Sequence, residues 1–303
     1  MGHEWDEDGF VVLRGAAPGE ALAAFDSELD AASDRLLVRA AGDEHPALAV
    51  RHDAAPAGAV DPYALAPAAR ALLLPAAVIA FLTEALAAAP MLIDAAETAA
   101  GAPDPGAYRD VTYVAASHPD QLAGLAVAHE DDVTVAVFAG SHRLAPDLFS
   151  GRYHHHNAER DGADALAAHR ERLAGALAEG GFARQEVRLA AGDVLIWRGA
   201  LAHEPVAGGA LVGHVLAAHA QPGWFAYRPQ RAGRAPYGDA WLASQHYDLE
   251  GTTDEAPPAP TPIPDLEHVE EALERHDAPP GQEPTRRGGL VGTVRGLMGR
   301  RGR

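Results

Sequence analysis

The sequence has no cysteine among its 303 residues, so it can form neither a disulfide nor a thiolate metal site, and it has no cysteine nucleophile. It also has no lysine, and arginine supplies all 24 of its basic side chains. Acidic residues number 43, and the net charge of −19 argues against a general affinity for nucleic acid. The 48% of apolar residues are enough for one substantial domain or two small ones.

The sequence also lacks an apolar run that is long enough and free enough of breaks to predict a membrane span. The most apolar stretch, residues 71–93, is rich in alanine and contains Pro75, Glu84 and Pro90, which favours a packed helix. Residues 1–8 are acidic and do not resemble the basic start of a secretion signal. We therefore expect a cytoplasmic protein without a transmembrane segment.

Short apolar runs bounded by turn signals predict a mainly β protein with flanking helices. Helices are predicted from Pro18 onward and at 76–89 and 164–179. Residues 108–138 contain strand patterns without a helical pattern between them, which argues against a parallel α/β sheet and favours an antiparallel sandwich or barrel. The predicted strands are 10–13, 47–50, 111–115, 122–128, 133–138, 185–189, 194–197 and 211–219, whereas the alanine-rich pattern at 91–100 is compatible with either a helix or a strand.

The composition changes near residue 253, and we predict three regions: a domain at 1–252, a proline-rich linker at 253–264, and a C-terminal segment at 265–303. The last segment begins as a short acidic helix and ends in a tail, 286–303, with six arginines and no acid. Either the tail is disordered and contacts the acidic body, or it is a weak anchor to an anionic membrane or partner.

One stretch, AGDVLIWRGALAHEP at 191–205, organises the predicted site. The turn signal at Gly192 precedes a buried strand, and a single histidine, His203, follows the strand end. A strand that delivers one histidine just beyond its end can place a metal ligand or a base on a rigid scaffold. The alternative is a core strand followed by a surface histidine.

Five segments in order give the chain a resemblance to the phytanoyl-CoA dioxygenase family of non-haem iron enzymes, members of the Fe(II)/2-oxoglutarate-dependent oxygenase superfamily. The resemblance implies a double-stranded β-helix core, also called a jelly-roll or cupin-like fold. It also implies Fe(II) and 2-oxoglutarate as cofactors and a small-molecule or acyl substrate. The matching segments are DGFVVLRGAA at 8–17, YRD and AHED at 108–110 and 128–131, AGSHR at 139–143, and GDVLIWRGALAHEP at 192–205.

By this resemblance, Asp110 is the metal-binding carboxylate and His203 is the distal metal histidine. Tyr108 stands where the family has its first metal histidine. A phenol is a poor neutral ligand for Fe(II), because its pKa near 10 must fall before the phenolate forms. Tyr108 and His129, at the end of a strand that faces inward, are the two candidates for the third ligand.

The cosubstrate motif departs from the family pattern as well. The family has an arginine after the distal histidine that holds a carboxylate of 2-oxoglutarate, a task that suits a guanidinium. This chain has no basic Arg or Lys between Arg198 and Arg228, and the matching place lies near Gly213 and His214. His214 and Arg198 are therefore the candidates for cosubstrate binding.

Two functions follow from this degenerate motif. The first is Fe(II)/2-oxoglutarate-dependent hydroxylation of a small or acyl substrate. The second is a family member that has lost catalysis and acts as a binding or regulatory module, since a fold does not fix a function. A cupin-like isomerase or hydrolase that uses a different metal is a third interpretation.

Overall fold

The computed structural model describes residues 2–40, 48–50, 56–98, 106–227 and 233–253. The predicted linker, acidic helix and basic tail lie outside these ranges, apart from Thr253.

The central element is a mixed seven-stranded sheet in which all neighbouring strands are antiparallel except one parallel pair, β5 and β12. Its strands, in spatial order, are β1 (Phe10–Leu13), β9 (Val194–Arg198), β6 (Leu122–Ala128), β10 (Ala210–Ala217), β5 (Pro90–Glu97), β12 (Ala240–Leu242) and β11 (Ala235–Tyr237). The central strands β9, β6 and β10 are buried along almost their whole length, as their apolar runs predict.

Two smaller sheets accompany the large one. A two-stranded antiparallel sheet contains β7 (Val133–Phe138) and β8 (Arg184–Leu189), and a three-stranded sheet contains β2 (Leu37–Ala40), β3 (Leu48–Val50) and β4 (Pro56–Ala59). Val135 of β7 and Val187 of β8 share an apolar cluster with Ala126 of β6 and Trp197 of β9. The β7–β8 pair therefore covers one face of the large sheet, as the second layer of a β sandwich.

Helices cover the opposite face of the large sheet. Leu125 and Val127 of β6 share a cluster with Phe25 and Leu29 of α2. Because successive strand residues point to opposite faces, β6 can serve both layers with alternate side chains. The helices are α1 (Gly2–Glu7), α2 (Gly19–Ala31), α3 (Pro67–Leu73), α4 (Ala76–Leu86), α5 (Ala158–Asp161), α6 (Ala163–Glu179) and α7 (Trp224–Tyr227).

Among the described residues, no single helix has the length and apolar character needed to cross a membrane. Helices α3 and α4 together meet that criterion by length and composition, with a bend of 50° between them.

The predicted strand at 111–115 is wrong, because a 3-10 turn spans Asp110–Thr112. The amide groups of Tyr113 and Val114 both donate to the carbonyl oxygen of Asp110, at 2.8 Å each. These local hydrogen bonds take the place of a strand ladder, so the chain turns immediately after Asp110. Helix α4 also ends earlier than Pro90, since Ala87 adopts a left-handed conformation with φ of 51°.

Candidate metal centre

Asp110 is held beside His203 by a short backbone bridge. The amide of Tyr108 donates to the carbonyl oxygen of His203 at 2.9 Å, and the amide of His203 donates to the carbonyl oxygen of Tyr108 at 3.0 Å. The segment before the turn therefore pairs with the segment that follows β9. Both side chains are buried, Asp110 with 2% and His203 with 0% exposure, so their mutual contact is shielded from water.

Three side chains surround the Asp110 carboxylate. Trp197 Nε1 donates to Oδ2 at 2.6 Å, while Nε2 of His203 and Nε2 of His214 each lie 3.4 Å from Oδ1. Burial on its own raises the pKa of Asp110, but the two histidines and the hydrogen bonds from His214 and Trp197 outweigh it and lower the pKa. Asp110 is therefore a carboxylate that the site stabilises in its ionised form.

The site is built on one row of residues that runs across four strands. Gly124 of β6 is paired with Trp197 of β9 on one side and with His214 of β10 on the other. His214 is paired in turn with Asp94 of β5. A Cβ atom on Gly124 would overlap both the Trp197 ring and Asp110 Oδ2. Glycine is therefore required at 124, because the indole and the carboxylate occupy the space above it.

His214 lies between two carboxylates. Its Nδ1 is 2.6 Å from Asp94 Oδ1, and its Nε2 faces Asp110. Burial lowers the pKa of His214, but Asp94 and Asp110 together raise it well above its ordinary value. The imidazole is consequently a cation that both acids share. A Cβ atom on the neighbouring Gly213 would come within 2.9 Å of the Asp94 carbonyl oxygen, so β10 approaches β5 closely beside His214.

His203 turns its Nε2 atom toward Asp110 Oδ1. Its Nδ1 lies 3.1 Å from the carbonyl oxygen of Leu201, and because a carbonyl can only accept, Nδ1 carries the proton. In the neutral ring Nε2 is then the basic nitrogen, and it is buried with no hydrogen-bond partner among the described residues. A buried lone pair that faces a carboxylate oxygen is the arrangement that a bound cation would satisfy.

Tyr108 packs against this pair. The centre of its ring lies 4.4 Å from the centre of the His203 ring. Burial, followed by the charge of Asp110, raises the pKa of the Tyr108 hydroxyl above its ordinary value. The phenolate is therefore disfavoured, and the neutral phenol gives Fe(II) little in place of an imidazole.

The structure does not bring His129 or Arg198 to this cluster. His129 Nε2 lies 3.9 Å from Glu97 Oε1, and its ring packs against Phe25. Arg198 donates to the carbonyl oxygen of Trp5 at 3.1 Å and to Asp6 Oδ1 at 2.7 Å, so it ties the end of β9 to α1.

The fit to a metal ion is partial. Within the described ranges there is no group of three or more histidine, cysteine, aspartate and glutamate side chains that could hold a metal. Asp110 and His203 offer two donors, whereas the two-histidine, one-carboxylate pattern of non-haem iron sites needs three. The buried Nε2 of His203 fits such an ion, and the residue at 108 does not.

Sequence reasoning missed the residues that support this centre. Asp94 is an acid in the middle of an apolar strand, and Gly124 is a single glycine inside another. Each is a signal that a side chain is paired or that another group approaches closely. Trp197 was predicted only as part of a buried strand, yet its indole N–H fixes the Asp110 carboxylate.

Comparisons with known proteins agree with this architecture. The sequence model of phytanoyl-CoA dioxygenase (PhyH) matches residues 5–205, and the chain belongs to that family. Among solved structures it is similar to SnoK, a non-heme alpha ketoglutarate dependent carbocyclase from nogalamycin biosynthesis, at 15% identity and a TM-score of 0.51 over 73% of this chain and 84% of that one.

A second similar structure is SnoN, a non-heme alpha ketoglutarate dependent epimerase from nogalamycin biosynthesis, at 15% identity and a TM-score of 0.51 over 73% of this chain and 83% of that one. At these identities the likeness concerns the fold, and it confirms the predicted double-stranded β-helix core. The comparison with curated protein sequences gave no match.

Proposed function

We propose that the protein is a non-haem iron oxygenase that uses 2-oxoglutarate and acts on a small molecule, with Asp110 and His203 as its protein metal ligands. One observation carries the assignment: the buried, unpartnered Nε2 of His203 lies 3.4 Å from Asp110 Oδ1. Membership of the family supports the general kind of chemistry.

In this proposal the protein's own groups orient the two ligands. The Leu201 carbonyl holds the Nδ1–H of His203 and so directs its lone pair at the centre. The Trp197 indole binds Oδ2 of Asp110 and leaves Oδ1 turned to His203. When bound, iron would supply the activation of oxygen that no side chain of this cluster can perform.

Cosubstrate binding is the weaker part of the arrangement. His214 takes the arginine position, but its two N–H groups face Asp94 and Asp110. A carboxylate of 2-oxoglutarate would have to compete with these acids for the same imidazolium. We therefore expect low affinity for 2-oxoglutarate, because a bidentate guanidinium pair is replaced by one donor that is already in use.

A second candidate function, a binding or regulatory module without catalysis, draws on the contact between His214 and Asp110. The His214 cation already compensates the charge of Asp110, so the carboxylate does not require a metal ion for its stability in the folded protein. In addition, a phenol, Tyr108, lies beside His203 in place of an imidazole, so the centre is one metal ligand short.

The test is Fe(II) binding and succinate formation from 2-oxoglutarate by the full chain, its His203→Ala variant and a His129→Ala control. His129 is also a largely buried histidine, but it contacts Glu97 and Phe25 and not the metal cluster. We expect low wild-type turnover that His203→Ala abolishes and His129→Ala retains. Turnover that survives His203→Ala would refute the metal assignment, and a wild type that neither binds Fe(II) nor forms succinate would select the second candidate.

A further inference from the structure

A cleft of about 280 Å³ lies on the other side of the segment that carries Asp110. Asp110, His203 and His214 do not line it. Its volume is just below the usual range of drug-sized ligand pockets and suits a small metabolite. The polar side chains of this cleft, called the Arg109 cleft below, include Arg109, Thr112, Asp120, Asp147, His154 and His169.

Arg109 is a buried cation without an acidic partner. Arg109 is only 5% exposed. Its guanidinium makes one hydrogen bond, from Nη2 to the carbonyl oxygen of Ser141 at 3.2 Å. Its Nε is buried and has no hydrogen-bond partner among the described residues. No carboxylate of the described residues lies within ion-pair distance of the guanidinium. Burial lowers the pKa of Arg109, and the charge of Asp147 opposes this only in part.

Three neighbouring polar groups of the cleft, Thr112, His169 and Asp147, are already paired with one another. His169 Nε2 lies 3.1 Å from the Thr112 hydroxyl, and its Nδ1 lies 3.0 Å from Asp147 Oδ2. The same Asp147 oxygen accepts a hydrogen bond from Arg172 at 2.7 Å. Asp147 is therefore shared by His169 and Arg172, and it does not neutralise Arg109.

A buried charge is costly unless a charge of opposite sign or a full set of hydrogen bonds compensates it. Arginine cannot avoid this cost by losing its proton. The planar guanidinium matches the geometry of carboxylate and phosphate groups, with two parallel N–H donors. An oxyanion in the Arg109 cleft would supply the compensation that the chain itself does not.

We propose that the Arg109 cleft binds the carboxylate or phosphate group of a small molecule, with the Arg109 guanidinium as the main contact. The inference goes beyond the proposed function and needs no metal ion, because it rests on residues that lie outside the Asp110–His203 cluster. A carboxylate and a phosphate both present an oxyanion to the guanidinium. The experiment distinguishes them by using one probe of each kind.

A second buried arginine provides a matched control. Arg234 is 4% exposed and its Nε also has no partner among the described residues, yet its guanidinium stacks on Phe225 at 4.8 Å from the ring centre. Arg234 does not line the Arg109 cleft. A substitution there removes a buried arginine and leaves the cleft intact.

The experiment titrates the metal-free full chain with acetate and, separately, with inorganic phosphate. Binding is followed by calorimetry and by the Nε–H signal of Arg109 in arginine-labelled protein, assigned with Arg109→Lys. We expect saturable binding of at least one probe, with a shift of the Arg109 signal. Arg109→Gln should weaken binding by at least about tenfold, because it removes a charge-assisted pair. Arg234→Gln and His203→Ala should bind as the wild type does.

The probe that binds more tightly, acetate or inorganic phosphate, shows whether the cleft prefers a carboxylate or a phosphate group. If Arg109→Gln does not fold, the wild-type signal and the milder Arg109→Lys variant still give the result. The proposal is overturned if neither probe binds saturably, if the Arg109 signal does not move, or if Arg109→Gln binds as tightly as Arg234→Gln. Loss of binding in His203→Ala would assign the anion to the metal cluster instead, and would leave the proposed function standing.

Discussion

Two neighbouring residues, Arg109 and Asp110, carry opposite charges to opposite sides of one short segment. On the Asp110 side, an indole N–H and two imidazoles surround the carboxylate. On the Arg109 side, the guanidinium has one backbone carbonyl as its partner. Both residues are buried, but groups of the chain compensate the charge of Asp110, whereas no acidic side chain among the described residues compensates that of Arg109.

The two sides also differ in what builds them. The Asp110 side rests on strands β9, β6, β10 and β5, whose ladders fix the position of each side chain in the row. The Arg109 cleft is lined instead by turns, by the loop around His154, and by His169 of α6. Strand-borne sites are held more tightly than loop-borne ones, so we expect the cleft to adapt to its ligand more readily than the metal cluster does.

The largest effect should come from removing the compensated charge. Asp110→Ala leaves the Trp197 N–H without its acceptor, and leaves the His214 cation with Asp94 as its remaining carboxylate partner, in a dry site. We expect the free energy of unfolding to fall by about 3–5 kcal/mol, as for other broken buried pairs. Urea denaturation measures it, with Asp6→Ala as an exposed control that should cost less than about 1 kcal/mol. A loss for Asp110→Ala no larger than that of the control would contradict the claim that Asp110 is a compensated buried charge.

The acid-rich side extends to Asp61, which offers a test by pH. Burial, and then the charge of Asp94, raise the pKa of Asp61 from 3.8 to about 7. The folded state therefore holds a proton that the unfolded state releases, so stability is lost as the pH rises from about 4 through about 7. In Asp61→Asn this loss, on the order of a few kcal/mol, should disappear. If the free energy of unfolding changed with pH in the same way in both proteins across this window, the raised pKa of Asp61 would be contradicted.

The glycine beneath the Asp110 carboxylate gives a smaller effect. Gly124→Ala should cost about 1–3 kcal/mol, because its methyl group must displace the Trp197 ring and Asp110. Gly175→Ala in α6 is the matched control, since a Cβ there meets nothing within 4 Å, and it should raise stability by roughly 0.5–1 kcal/mol. Thermal or urea unfolding measures both, and equal effects of the two substitutions would contradict the close approach at 124.

The smallest effect is expected on the Arg109 side. Replacing an uncompensated buried charge with an apolar side chain of similar length removes a desolvation cost and no ion pair. Arg109→Met should therefore change the free energy of unfolding by less than about 1 kcal/mol, or raise it, in Tris chloride without carboxylate or phosphate. A loss as large as that of Asp110→Ala would mean that Arg109 is compensated within the chain.

The sequence predicted the strands more completely than the site. Strands β6 and β7 begin and end where their apolar runs predict, because β6 packs on apolar layers with both faces and β7 places Val133, Val135 and Val137 in one of these layers. The turn after Asp110 was missed, since its Val-rich residues favour a strand while the hydrogen bonds to the Asp110 carbonyl favour a turn.

The row formed by Trp197, Gly124 and His214 could not be predicted, because it depends on the register between strands that are far apart in sequence. Similarly, no local pattern marks Arg109 as unpaired. That property depends on where Ser141 and Asp147 lie in the folded chain.

The central claim is that Asp110 and His203 form a metal centre whose missing ligand belongs at position 108. Co(II) or Fe(II) titration under anaerobic conditions tests it in the wild type, Tyr108→His, Tyr108→Phe and His203→Ala. We predict that Tyr108→His tightens metal binding by at least about tenfold, since even lost outer-shell partners change affinity by about 10–100-fold. Tyr108→Phe should match the wild type, and His203→Ala should lose binding. Equal metal affinity in all four proteins would contradict the claim.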